Sequence, residues 1–99
     1  MTPPFLTDAE IKAVMKRLEA TNLLSLLQGI CREYNVTLEG VLRKRRTRRI
    51  VYARDACCHR LHSLGLSTVE VGRHLEMDHT SVSQAVRRYK TRDNGRALT

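Results

Sequence analysis

The run Asp78-His79-Thr80-Ser81, followed by Ser83, Gln84, Arg87 and Arg88, places short hydrogen-bonding groups first and cations after them. A carboxylate can accept from an exocyclic amine, a threonine methyl can touch an apolar edge, and a guanidinium can pair with an anionic oxygen. This is chemistry for gripping a polar, negatively charged surface rather than for breaking bonds. It needs the groups on one side of one element. Val82, Ala85, Val86 and Tyr89 supply the opposite side, because they fall at i, i+3, i+4 and i+7 of a helix.

The element before it is equally legible. Ser67 and Glu70 have the spacing of a capping box, so a short helix begins after Ser67. Asp78 stands where an N-cap would open the second helix. Leu66–Tyr89 therefore reads as two short helices joined by a tight turn, the layout of a helix-turn-helix. In that arrangement the first residues of the second helix meet base edges in a major groove.

Charge points the same way. The 99-residue chain carries a formal charge of +8, unevenly spread. Residues 1–42 hold four Lys/Arg against five Asp/Glu, net −1, and residues 43–99 hold fourteen against five, net +9. In Arg43-Lys44-Arg45-Arg46-Thr47-Arg48-Arg49 six of seven residues are basic. Self-repulsion should keep part of that run irregular until a polyanion meets it. Nucleic acid fits better than a membrane surface, which would want aromatic and Leu residues opposite a basic helix face. The chain has only four aromatic residues. No stretch approaches membrane-spanning length and no leader is visible at Met1–Leu6.

Upstream, Thr7 and Glu10 form another capping box, and Ile11, Val14, Met15 and Leu18 predict an amphipathic helix over Asp8–Ala20. Asn22 is expected to cap the next helix, striped by Leu23, Leu26, Leu27, Ile30 and Tyr34. Gly29 interrupts that stripe, at a modest cost or as the mark of a close helix contact. Thr37 is expected to cap a short helix that turns Leu38, Val41 and Leu42 inward. Ile50, Ala53, Cys57, Leu61 and Leu64 stripe a longer helix, stopped by Gly65. The residues after Tyr89 are expected to fray. The fold class is all-α: a compact bundle of five or six helices containing a helix-turn-helix. Residues 1–21 form a tail and helix, 22–92 the binding domain, and 93–99 a basic flexible tail.

From about Leu24 to Tyr89 the order of features resembles the C-terminal, DNA-binding domain family of the bacterial chromosomal replication initiator, DnaA. The basic run Arg43–Arg49 resembles that family's basic loop after a Leu-rich turn. Ala53-Arg54 falls in the following long helix. Val71-Gly72 followed by Asp78-His79-Thr80-Ser81-Val82 is similar to its Asp-His-(Ser/Thr)-Thr-Val signature. The resemblance implies that Arg46 enters a minor groove with Lys44, Arg45 and Arg48 as neighbours, and that Arg54 contacts a phosphate. It also implies that Asp78, His79 and Thr80 read bases while Ser81 holds the backbone. Two departures stand out. The family's turn usually reads Gly-Gly-Arg before Asp-His, whereas Glu76-Met77 precedes Asp78 here, one residue shorter. The family's full-length members also carry an ATPase module, and this chain has no Gly-x-x-x-x-Gly-Lys-Ser/Thr loop. It is expected to be the DNA-reading end alone, with double-stranded DNA as partner and a full-length initiator as a competitor for the same sites.

Other readings of these residues stay open. A transcriptional regulator or the targeting domain of a mobile-element protein would use the same helix-turn-helix. A protein-interaction module would work through Asp8–Tyr34, with the basic surface aiding solubility. Cys57-Cys58-His59 with His62 has poor spacing for zinc, whose ligand pairs usually sit on loops or knuckles. Cys57 is expected to pack inward, with Cys58 and the histidines partly exposed. No cofactor and no catalytic constellation is expected. Three cysteines form no disulfide framework, and a reducing cytoplasm, at the nucleoid, is the expected compartment.

Overall fold

The computed structural model describes residues 6–43 and 47–97, with side chains described as far as Arg92. Lys44, Arg45 and Arg46, the centre of the basic run, lie outside the described residues. Among the described residues every regular element is a helix: α1 (Asp8–Ala20), α2 (Leu24–Glu33), α3 (Leu38–Leu42), α4 (Arg48–Ser63), α5 (Thr68–Leu75) and α6 (His79–Ala97). The all-α reading holds.

Local sequence sets most of the boundaries. Thr7 and Ser67 each accept from the backbone N–H three residues on, while Glu10 and Glu70 reach back to the cap N–H at 2.9 and 3.0 Å. Both capping boxes are thus complete. Thr37 accepts from the Gly40 N–H at 3.0 Å and opens α3, whose Leu38, Val41 and Leu42 are all buried. Gly65, at φ 101°, ends α4 in a backbone region that suits glycine.

Asn22 does not cap α2. It sits at φ 63°, after α1, while the Leu23 N–H reaches Leu18 O at 2.9 Å and its own N–H reaches Glu19 O at 3.1 Å. That is a Schellman closure of the preceding helix, with asparagine in the left-handed position. Asn35 does the same for α2 at φ 58°. Asparagine suits both an N-cap and a left-handed C-terminal position, and the short link between α1 and α2 leaves room for only one role.

α6 also departs from expectation. It continues through Lys90 to Ala97 instead of fraying after Tyr89. The part of the expected 93–99 tail that is described, residues 93–97, is helical. Arg92 anchors the extra turn: its guanidinium lies 2.9 Å from Asp55 Oδ2 and 3.9 Å from the Tyr52 ring centroid.

The core joins one stripe from each helix. Ile11, Val14 and Leu18 of α1 meet Leu27 and Cys31 of α2, Leu38, Val41 and Leu42 of α3, and Ile50, Ala53, Cys57 and Leu61 of α4. Val71 and Leu75 of α5 and Val82, Ala85 and Val86 of α6 complete it. Leu64 misses the core and is 55 % exposed, because it stands at the C-cap where α4 has already turned away. Cys58 was expected at the rim and is instead wholly buried, its Sγ 3.7 Å from Met77 Sδ, in contact with the turn between α5 and α6. Burial pushes the Cys58 thiol up to about 12. Among the described residues a side-chain carbon at Gly29 would meet nothing within 4 Å, so none of the described helices explains it by close approach.

Candidate nucleic-acid interface

α6 packs chiefly on α4 and also against α5, and α4 and α5 touch each other. Two features fix the turn between α5 and α6. Gly72 is buried beneath it, and a side-chain carbon there would collide with the Met77 carbonyl oxygen. Glu76 supplies the reversal at φ 55°, and the Met77 N–H closes it on Gly72 O at 2.8 Å. A glycine in α5 is therefore required by the backbone that crosses it, which gives the Val71-Gly72 pair a physical reason. The left-handed residue is a glutamate, where a glycine would be less strained.

Val82, Ala85 and Val86 are buried, and this fixes what α6 shows to solvent. Thr80, Gln84, Arg87 and Thr91 stand at i, i+4, i+7 and i+11 and run along its outer face, all exposed. Asp78, His79, Ser81 and Ser83 flank the start of this row and are also exposed. The Asp78 carbonyl accepts from the Val82 N–H at 3.0 Å, so Asp78 occupies the N-cap. Its carboxylate lies 3.6 Å from His79 Nδ1. The first turn of α6 thus combines free-facing hydroxyls with a helix N-terminus.

On the α5 side of this row a shallow groove of about 230 Å³ is lined by His62, Thr68, Ser83, Val86, Arg87 and Lys90. It brings the end of α4, the start of α5 and the flank of α6 together. Three cationic or protonatable side chains and two hydroxyls meet there, beside a helix N-terminus, which is the equipment for holding phosphate oxygens.

Arg48 is the first residue of α4, beside Arg49, and that helix has no acidic residue in its first turn. Two cations at a helix N-terminus oppose the helix dipole. The arrangement is unfavourable in isolation and improves when an anion approaches. Arg54, half-buried, lies further along α4.

Arg88 has a different position from the rest of the predicted set. Its Nε and Nη2 donate to the two oxygens of Asp55 at 3.2 and 3.0 Å, and the Asp55 carboxylate is wholly buried. Arg92, one turn on, donates to the same carboxylate. The Asp55 pairing holds the Arg88 guanidinium high. Asp55 was not singled out from the sequence. The available signal was a lone acid inside the otherwise basic helix α4, facing Arg88 and Arg92 at i, i+4. The His59–Tyr89 stack, with centroids 4.4 Å apart, is a second α4–α6 contact that periodicity does not give.

Residues 25–88 match the family described as the bacterial DnaA protein helix-turn-helix. The chain belongs to that family. It is 30 % identical over 78 residues to the chromosomal replication initiator protein DnaA of Helicobacter hepaticus, covering 77 % of this chain and 17 % of that protein. It is 31 % identical over 64 residues to the protein of the same name from Mycoplasma genitalium, covering 64 % of this chain and 15 % of that one. The chain thus spans about a sixth of the length of these DnaA relatives. No solved structure matches it. The DnaA helix-turn-helix is a DNA-binding domain, and the helix-turn-helix seen here is its α5–α6 pair. Among the described residues, no helix is long and apolar enough to cross a membrane.

Proposed function

We propose that this chain binds double-stranded DNA with a sequence preference, in the control of replication initiation. α6 enters a major groove from His79 onward, and the basic segment 43–49 follows the neighbouring minor groove and phosphates. The observation that carries this reading is the exposed row Thr80, Gln84 and Arg87, set on a helix whose other side is locked by buried Val82 and Ala85. Thr80 is placed to touch a thymine methyl, Asp78 to accept from a cytosine amine, and Gln84 to pair with adenine. Ser81, Ser83, Arg54, Arg87 and Arg48 are proposed as backbone contacts, with His79 beside them at the groove edge. Arg46, with Lys44 and Arg45, is proposed for the minor groove, where a narrow A·T-rich channel attracts guanidinium. Arg88 acts from its seat on Asp55, fixing α6 and lending its exposed edge to the duplex.

Both DnaA relatives are named as chromosomal replication initiators, which supports a role at initiation sites. In this reading the domain shares its sites with a full-length initiator. A regulator of transcription is the second reading, and the Glu76-Met77 turn favours it, because it is one residue shorter than Gly-Gly-Arg and lacks both glycines and the arginine.

Binding to random-sequence duplex across a salt series tests the interface: several phosphate contacts give a steep fall of log affinity with log salt, and a flat response defeats the proposal. An initiator box set against a scrambled duplex at fixed salt then tests the role. Equal affinity for the two removes the replication assignment and leaves the regulator.

A further inference from the structure

α1 lies outside the matched span of residues 25–88, yet it touches the turn that leads into α6 and the residue that opens the basic segment. Near its C-terminal end, Arg17 Nη2 donates to the Arg73 carbonyl at 2.7 Å and meets Glu76 Oε1 at 3.3 Å. Arg73 O is one of the last four carbonyls of α5, which have no partner within the helix, and Glu76 is the pivot of the turn into α6. In its first turn, at the other end, the Asp8 carboxylate pairs with the Arg43 guanidinium, which also holds Glu39 at 2.9 Å. Arg43 is the C-cap of α3 and the residue that leads into the basic segment. Between these grips, Ile11, Val14 and Leu18 are buried and seat α1 in the core.

We propose that α1 is a strut that sets the recognition turn and the start of the basic segment relative to each other, with Arg17 and Asp8 as positioning residues for DNA discrimination. The proposal rests on the DNA-binding reading above. A helix of 13 residues spans roughly 20 Å and is stiff over that length. Its two ion pairs are largely exposed and so contribute little to overall stability. What they restrain is local. Arg17 holds the Arg73 carbonyl at the end of α5 and pairs with the carboxylate of the left-handed Glu76. Sequence discrimination depends on small displacements of the recognition helix, whereas phosphate attraction does not. Loosening the strut should therefore reduce discrimination before it reduces general affinity.

The test uses Arg17→Met, which keeps the apolar stem and removes the donors, and Asp8→Asn. Amide hydrogen exchange without DNA is read at Met77, whose N–H closes the turn. Affinity is read on a duplex selected from a random pool and on its scrambled counterpart, over a salt series. For Arg17→Met the expected result is several-fold faster exchange at Met77 with core amides unchanged. The selected-to-scrambled affinity ratio should fall about 3- to 10-fold, at an unchanged salt slope, since no phosphate contact is lost. Asp8→Asn should lower the same ratio, although its loss of negative charge raises affinity for both duplexes. Unaltered Met77 exchange overturns the strut. So does a salt slope reduced by about one, which makes Arg17 a phosphate contact, or an equal loss on both duplexes with a lowered Tm, which makes it a stability residue only. If the unmodified chain binds neither duplex, the DNA reading falls and the proposed role in discrimination falls with it; the exchange measurement then still decides whether Arg17 restrains the turn.

Discussion

Arg88 and Asp55 form a two-pronged ion pair between α6 and α4, at 3.0 and 3.2 Å, in which the carboxylate is wholly buried and the guanidinium side chain is 47 % exposed. The asymmetry predicts an asymmetric response. Removing the carboxylate by Asp55→Ala releases Arg88 and Arg92 to solvent and loses their hydrogen bonds, a cost of about 1–3 kcal/mol. Removing both cations by Arg88→Ala with Arg92→Ala leaves a buried charge uncompensated and should cost about 3–5 kcal/mol. Urea denaturation of the two variants measures the difference. Arg87→Ala, on the exposed outer row, should leave the urea midpoint in place and reduce the salt slope of DNA binding by about one.

The turn offers a paired prediction. Gly72→Ala pushes a methyl group into the Met77 carbonyl, where backbone must shift, so a loss of about 1–3 kcal/mol is expected. Glu76→Gly relieves a left-handed residue by about 1 kcal/mol. The same change removes the exposed Arg17 pair, worth at most about 1 kcal/mol. Its net effect on Tm should therefore be close to zero. A large loss in Glu76→Gly would mean that the carboxylate restrains the turn more than its exposure suggests.

Sequence patterning located α1, α3, α5 and the end of α4 through local boundary chemistry: Thr7-to-Glu10, Thr37, Ser67-to-Glu70 and Gly65 all act within one turn of the chain. It misjudged Asn22 because an asparagine between two helices serves either neighbour, and only the tertiary path decides. It missed Asp55 because a buried charge is recognisable only through partners 33 and 37 residues away. The end of α6 was misplaced for the same reason, since Arg92 is held by α4 and not by its own helix. On the binding face, the exposed hydroxyls of α6 follow directly from the buried stripe beneath them. The gathering of His62 and Thr68 beside Arg87 does not follow, because it depends on how α4 and α5 cross.

The capping boxes make part of the stability pH-dependent. Hydrogen bonds from the Ser67 backbone N–H and hydroxyl lower Glu70 below its ordinary 4.5, and Thr7 does the same for Glu10. A carboxylate whose folded pKa is depressed stabilises the fold above its unfolded pKa, and that contribution disappears as pH falls through the folded value. The urea midpoint should therefore drop as the solution is acidified below about 4.5. Glu10→Gln with Glu70→Gln should flatten that part of the curve. An unchanged slope in the double variant would place the acid-sensitive contribution elsewhere.

Thr80 separates reading from holding. It stands at the start of the outer row of α6, two residues after the N-cap Asp78, and its side chain is exposed. The buried Val82 next to it fixes the helix rotation, so substitution at Thr80 leaves the fold intact. If the methyl group meets a thymine, Thr80→Ala should cost about 1–3 kcal/mol on the selected duplex and almost nothing on random sequence. Thr80→Ser keeps the hydroxyl and removes the methyl, so it should lose as much as alanine when the contact is apolar. It should lose little when the hydroxyl carries the contact. Equal losses on selected and random duplex would make Thr80 a phosphate-positioning residue, and base reading would then rest on Asp78 and Gln84.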